Sequence, residues 1–371
     1  MADHTLSSSA RATAAPAIMM ARFWDNGWVW LCLALLTALP FWTTPFPAMT
    51  DFYSHTARYH VMNHIDQSQY LHKYYRFKWI LIANLGVDLL MVPLGAVFPT
   101  ETAAKIAVSL IPFTYVMGIF CVARAAWGRV PASALVAVLM TTCMSFVFGF
   151  VNYHLSLALA LLILALWIRT DTMRPAWRVP LFIVAGFGVW LSHMVGWGVL
   201  VVAAVAWETA KTARWQSGVR FTGNALAAAK AFGNALRTCA ALLVPLLLTL
   251  LWRSDVKSAG TSIGNPFLIK PRKIAWLMRA EWQWLDLALT ATICGLAGVL
   301  VYQGLRKGGR INRGLGLAAV FLAVLFAIMP KMVMGSDYAD MRLLGPLLTF
   351  VFLGFAGHAR HDMRLAVLAM L

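Results

Sequence analysis

Long apolar runs alternate along this chain with short stretches that gather the polar and charged side chains. Runs long enough to cross a hydrocarbon core of about 30 Å predict membrane helices rather than strands. The pattern predicts crossings at 28–41, 103–125, 131–148, 156–168, 179–194, 197–207, 238–252, 284–302, 315–329 and 343–355, with a turn at Gly196. The predicted class is all-α: a polytopic transmembrane bundle of about ten membrane helices, forming a single transmembrane domain over 1–371. No repeat of 20–50 residues is visible.

The run 79–98 is long enough to span, yet it holds Asn84, Gly86, Asp88 and Pro93. If it crossed, the loops with Arg124 and Arg129 and with Arg169, Arg174 and Arg178 would face outward. If it lies along the interface, both loops face the cytoplasm. Retention of Lys and Arg on the inner side favours an interfacial helix. The N-terminus is then cytoplasmic, with 1–22 a flexible Ser/Ala-rich tail and 28–41 an uncleaved signal-anchor. Residues 43–104 form the first extracytoplasmic loop, and 253–279 a basic outer loop. The chain closes on LAVLAML, an apolar run begun and not finished, which reads as a truncated C-terminal part.

Composition agrees with this reading. Charged residues are 12% of the chain, about half the share of a soluble domain. The net charge of +17 raises nucleic acid as a partner, but the basic residues sit in short loops between apolar runs, so none is expected. The five cysteines lie within apolar segments at no paired spacing, so neither disulfides nor a cysteine metal site is inferred.

The chemistry concentrates in 45–79, which carries Asp51, His55, Arg58, His60, His64, Asp66, His72, Lys73 and Arg76. In a helix after Pro47, Asp51, His55 and Arg58 share one face at i, i+4 and i+7, with Asp66 close to it. A carboxylate beside an imidazole is a workable general base, so Asp51 and His55 are the catalytic candidates. The bland alternative is a solvated juxtamembrane helix. His60 and His64 form an i, i+4 pair without a third metal ligand at recognisable spacing.

Later loops on the same side add candidate substrate-binding residues. The turn FGFVNYHL offers Asn152 and His154, and His193 ends another outward helix. Lys270, Arg272 and Lys273 stand in a cationic loop suited to a phosphate or to lipid headgroups. Asp340 and Arg342 close GSDYADMR, Asp340 either as the counter-ion of Arg342 or with it around a substrate phosphate. The outward basic residues run against the usual bias, and an anionic ligand accounts for them.

An inward N-terminus, one helix, and a long outer loop with an acidic residue just after a Pro-rich turn resemble the GT-C membrane glycosyltransferases. That superfamily includes the protein mannosyltransferases and the lipid A aminoarabinose transferases. The resemblance implies two juxtamembrane helices in the first outer loop, with Asp51 at the position of the family's acidic catalytic residue. Many members carry a second acidic residue on the next outer loop, where this chain has Asn152, Tyr153 and His154. No metal ligands are therefore assigned, and a divalent metal (Mg or Mn) stays open as a cofactor. The implied partners are a polyprenyl-phosphate sugar donor, a glycan, lipid or protein acceptor, and membrane lipids. The implied place is the extracytoplasmic face of a bacterial inner (plasma) membrane. A transporter or flippase for a lipid-linked glycan, and a non-catalytic assembly subunit, are the competing classes; the first would place charges near mid-membrane and show repeats.

Overall fold

The computed structural model describes residues 23–212, 225–251, 266–278, 282–306, 309–333 and 336–357. The expectations for 1–22, for the chain end after 357, and for parts of the basic stretches 211–237 and 253–279 lie outside the described residues.

The described residues are all-α apart from one two-residue ladder and an isolated bridge between Val333 and Ser336. Helix α1 (Gly27–Ala38) starts where the Asn26 side chain accepts from the Trp28 amide at 3.0 Å, and a 3-10 turn over Leu39–Trp42 closes it. Helices α2 (Phe52–His64), α3 (Gln69–Tyr74) and α4 (Gly86–Val97) follow, with extended chain between the last two. Helix α5 (Thr100–Trp127) is about 42 Å long at ~1.5 Å per residue, and it ends on Gly128 at φ 71°. Next come α6 (Ser133–Ala137), a 3-10 piece (Val138–Thr142) and α7 (Met144–Val147). Helices α8 (Val151–Arg169), α9 (Pro175–Ser192) and α10 (Met194–Thr212) then run nearly end to end. Helices α11 (Ala225–Thr238) and α12 (Ala240–Leu251) meet at a 76° bend. After α13 (Pro266–Ala275) and α14 (Gln283–Arg306), strand β1 (Arg310–Ile311) leads into α15 (Arg313–Ile328), then α16 (Leu344–Gly354) and β2 (Phe355–Ala356). β1 and β2 pair antiparallel, Arg310 opposite Ala356.

Among the described residues, five helices (α5, α8, α9, α10 and α14) are long and apolar enough to cross a membrane, and the bent pair α11–α12 would make a sixth. The chain is accordingly a helical membrane protein. Helix α8 is the axis, buried along most of its length. Small residues let its neighbours approach: Ala103, Ala104, Ala107 and Ala123 on α5, and Ala158, Ala160 and Ala165 on α8, are buried. At Gly196 a Cβ would clash with the Ser156 side chain, so α10 packs backbone-first on α8. Glu208 ties α8, α9 and α10 at one end: it accepts from the Trp167 indole at 2.9 Å and pairs with Lys211 at 3.1 Å and Arg178 at 4.0 Å. A carboxylate this buried needs such partners.

Several expectations are corrected. The run 79–98 is not one interfacial helix: residues 75–85 are non-helical, and only Gly86–Val97 coils. The span 131–148 is broken into three short pieces. The expected turn FGFVNYHL tightens to residues 148–150, so Asn152, Tyr153 and His154 lie buried in the first turn of α8. The α9–α10 break falls at His193 (φ −167°), not at Gly196. Part of the basic outer loop is helical, as α13.

Cysteines placed at Glu101 and Arg129, the two ends of α5, should react with an impermeant thiol reagent from opposite sides of the membrane. Labelling of both from one side would overturn α5 as a crossing.

Candidate functional site

The site is built around a three-residue turn. Gly149 stands at φ 96°, a conformation that L side chains rarely adopt, and this reverses the chain between α7 and α8. The start of α2 is hydrogen-bonded onto that turn: the Thr50 amide donates to Val147 O at 3.0 Å and the Asp51 amide to Phe148 O at 3.1 Å. A Cβ on Gly149 would come within 2.8 Å of the Asp51 Cβ. The turn is therefore glycine for two reasons, its own φ and the approach of Asp51.

Asp51 sits at the N-cap of α2 but does not cap it. Among the described residues its half-buried carboxylate makes no side-chain hydrogen bond and no ion pair. One turn on, His55 Nε2 lies 3.1 Å from Gly149 O. A carbonyl only accepts, so Nε2 carries the proton and the neutral ring presents a basic Nδ1. Burial, and then the Arg58 charge, push His55 below its ordinary 6.5, while Asp51 pulls the other way. His55 is thus a neutral base near pH 7.

Arg58 is held at 2.5 Å from Asp88, whose carboxylate is only 1% exposed. Asp88 also accepts from Asn152 Nδ2 at 3.2 Å. Asn152 is otherwise spent on backbone: it accepts from Val87 N at 2.6 Å and donates to Asn84 O at 2.8 Å. This amide clamps α4 to α8 and has no free end for a sugar. Asp66 is not part of the face: it lies in a 3-10 turn, 92% exposed, 3.5 Å from His72. The His60 and His64 rings stack at 4.5 Å, and His64 Nδ1 is engaged by His60 O. Among the described residues no three His, Cys, Asp or Glu are grouped to hold a metal ion.

Beneath the turn lies a buried basic layer. The Arg342 guanidinium packs on the Phe150 ring at 4.3 Å and donates to Ser336 Oγ at 2.8 Å. Tyr153 donates to Arg342 O. His154 Nε2 meets Ser145 Oγ at 2.9 Å, and His193 sits edge-on to Tyr153 at 5.6 Å. His154 Nδ1 and Arg342 Nε are buried without a hydrogen-bond partner among the described residues. Asp340 does not serve as the counter-ion of Arg342. It is fully buried and takes Lys270 at 2.8 Å. Lys270 also donates to Met329 O at 2.6 Å, so it is not free to clamp a phosphate. Lys273 is buried, its ammonium 3.9 Å from the centre of the Tyr338 ring, which in turn lies 5.1 Å from Phe148. Arg272 is exposed and lies over Trp276.

The turn 148–150 is thus the meeting point. Asp51 and His55 touch it directly, Lys273 reaches it through Tyr338, and Arg342 with His154 and His193 lies below it. Sequence reasoning passed over Asp88. The available signal was a carboxylate inside an apolar run, which is costly unless it is paired. A separate apolar hollow of about 520 Å³ lies between α1 and the broken segment, lined by residues such as Trp24, Trp28, Leu33 and Leu139; no candidate residue lines it. The chain matches no family model, no curated protein and no solved structure.

Two outcomes follow from this geometry. In spectra of ring-labelled histidine, His55 should titrate below 6.5. Asp51→Asn should lower that value further and Arg58→Gln should raise it; a shift of either opposite in sign refutes the electrostatics. Asp88→Ala should destabilise the protein by about 1–3 kcal/mol, because it strands Arg58 and one Asn152 donor. Asp66→Ala should leave the thermal midpoint unchanged. Equal midpoints for the two variants would remove Asp88 as an anchor.

Proposed function

We propose that the protein is a membrane glycosyltransferase of GT-C type, moving a sugar from a polyprenyl-phosphate donor to an acceptor hydroxyl. In this proposal the chain crosses the membrane about ten times, the shorter apolar helices included, and the α2 side faces away from the cytoplasm of a bacterial inner membrane. The observation that carries it is Asp51: a half-buried carboxylate, fixed by its backbone to the 148–150 turn and without an ion-pair partner among the described residues. A carboxylate held in place and left unspent is suited to take a proton.

The chemistry balances as follows. The acceptor oxygen bonds to the anomeric carbon and its proton passes to Asp51. The bond from that carbon to the phosphate oxygen breaks, and the phosphate leaves with the extra negative charge. His55 stands one turn away, a neutral ring held on the same turn by the Gly149 carbonyl. Arg342, with an unspent Nε and no carboxylate partner among the described residues, supplies positive charge to the departing phosphate; His154 and His193 lie beside it. The same layer, with Arg342 and His154 buried and His193 half-buried, favours a second proposal, a transporter of a lipid-linked anion, since transporters place ionisable groups inside the bundle.

Transfer of labelled sugar from a polyprenyl-phosphate donor pool, in membranes matched for expression, separates the two. Asp51→Asn should lower transfer by about 100-fold or more, while Asp66→Asn should stay near the wild-type rate. Wild-type transfer by Asp51→Asn would remove the catalytic proposal. Donor translocation without any transfer would establish the transporter instead.

A further inference from the structure

Residues 70–81 have no role in the chemistry above, yet they are unusual. The stretch YLHKYYRFKWIL carries Lys73, Arg76 and Lys78 and no carboxylate. All three cations are exposed. Arg76 and Lys78 make no ion pair among the described residues, and Lys73 lies only over the ring of its neighbour Tyr74, at 5.4 Å. The nearby carboxylate, Asp66, is turned to His72. Exposed aromatic rings stand between the cations, Tyr74 and Tyr75, and on either side of them, Tyr70 and Trp79.

The backbone adds a second constraint. From Arg76 to Ile82 the chain is neither helix nor strand, and none of its amides or carbonyls joins a backbone hydrogen bond among the described residues. Unpaired backbone cannot lie in hydrocarbon, so this strap belongs at the hydrated headgroup level. The apolar side chains next to it fix which way it faces. Ile80 and Leu81 are exposed, and in the element that follows, α4, Leu89, Val92 and Val97 are exposed too. Those side chains can reach acyl chains while the cations stay at the level of the phosphates. Tyr and Trp suit the boundary between the two.

We propose that residues 70–81 seat anionic phospholipid headgroups of the leaflet on the α2 side. Charge complementarity selects the occupant: three unpaired or weakly engaged cations attract a net-negative headgroup and gain little from a zwitterionic one. The surface lies outside the Asp51 site, and the proposal stands or falls apart from the transferase reaction.

The test places the photoreactive residue p-benzoylphenylalanine at Tyr75 in the full chain. The protein is reconstituted in nanodiscs of equimolar phosphatidylglycerol and phosphatidylcholine, and the adducts are identified by mass spectrometry. Phosphatidylglycerol adducts should exceed phosphatidylcholine adducts by about fivefold, the effect of one well-placed cation, or more. The excess should collapse in high salt with the wild-type sequence, and in the combined K73Q, R76Q and K78Q variant. Equal adducts at low salt would overturn the proposal. So would cross-linking in native membranes that captures mainly a protein, which would identify a strand-pairing partner instead.

Discussion

The buried Asp88 carboxylate is the constraint on which this end of the molecule depends. A charge with 1% exposure inside an apolar helix is tenable only with partners. It has two, Arg58 from α2 and Asn152 from α8. Those partners come from elements far apart in sequence, so satisfying one carboxylate fixes α2, α4 and α8 relative to one another. Asp51 and His55 inherit that placement through α2, and the 148–150 turn inherits it through α8. The candidate catalytic pair is therefore positioned through a carboxylate that is itself spent on Arg58 and Asn152.

Much of the fold was legible because hydrocarbon-length apolar runs have few alternatives. The runs at 103–125, 156–168, 179–194 and 284–302 each lie within or across a long helix. The failures have physical causes. The run 131–148 has the composition of a span, but nothing in periodicity reports a backbone that breaks at Val138 and Cys143. Gly196 looked like a turn because glycine often makes one; here it is needed for its missing Cβ against Ser156. His193 makes the break without any glycine.

Of the candidate residues, the Asp51 and His55 neighbourhood was legible, while the partners of the others were not. Asp51 and His55 do stand together at the turn. Asp340 and Arg342, two positions apart and opposite in charge, suggested a pair; the chain instead gives Asp340 to Lys270, 70 residues away. Asn152 looked like an exposed hydrogen-bonding group and proves to be a clamp. Sequence shows which groups need partners, while three-dimensional proximity decides who supplies them.

The broken segment between α5 and α8 carries one more consequence. The Met144 amide donates to Leu277 O at 2.8 Å, just past α13, and three residues later Val147 O receives the Thr50 amide. One short piece of irregular chain is thus gripped from both sides, by the helix that carries Lys270 and Lys273 and by the loop that carries Asp51. A continuous helix would resist relative motion of its two neighbours. This interrupted one leaves the chain just past α13 and the loop before α2 bonded to the same short segment, at amides and carbonyls three residues apart.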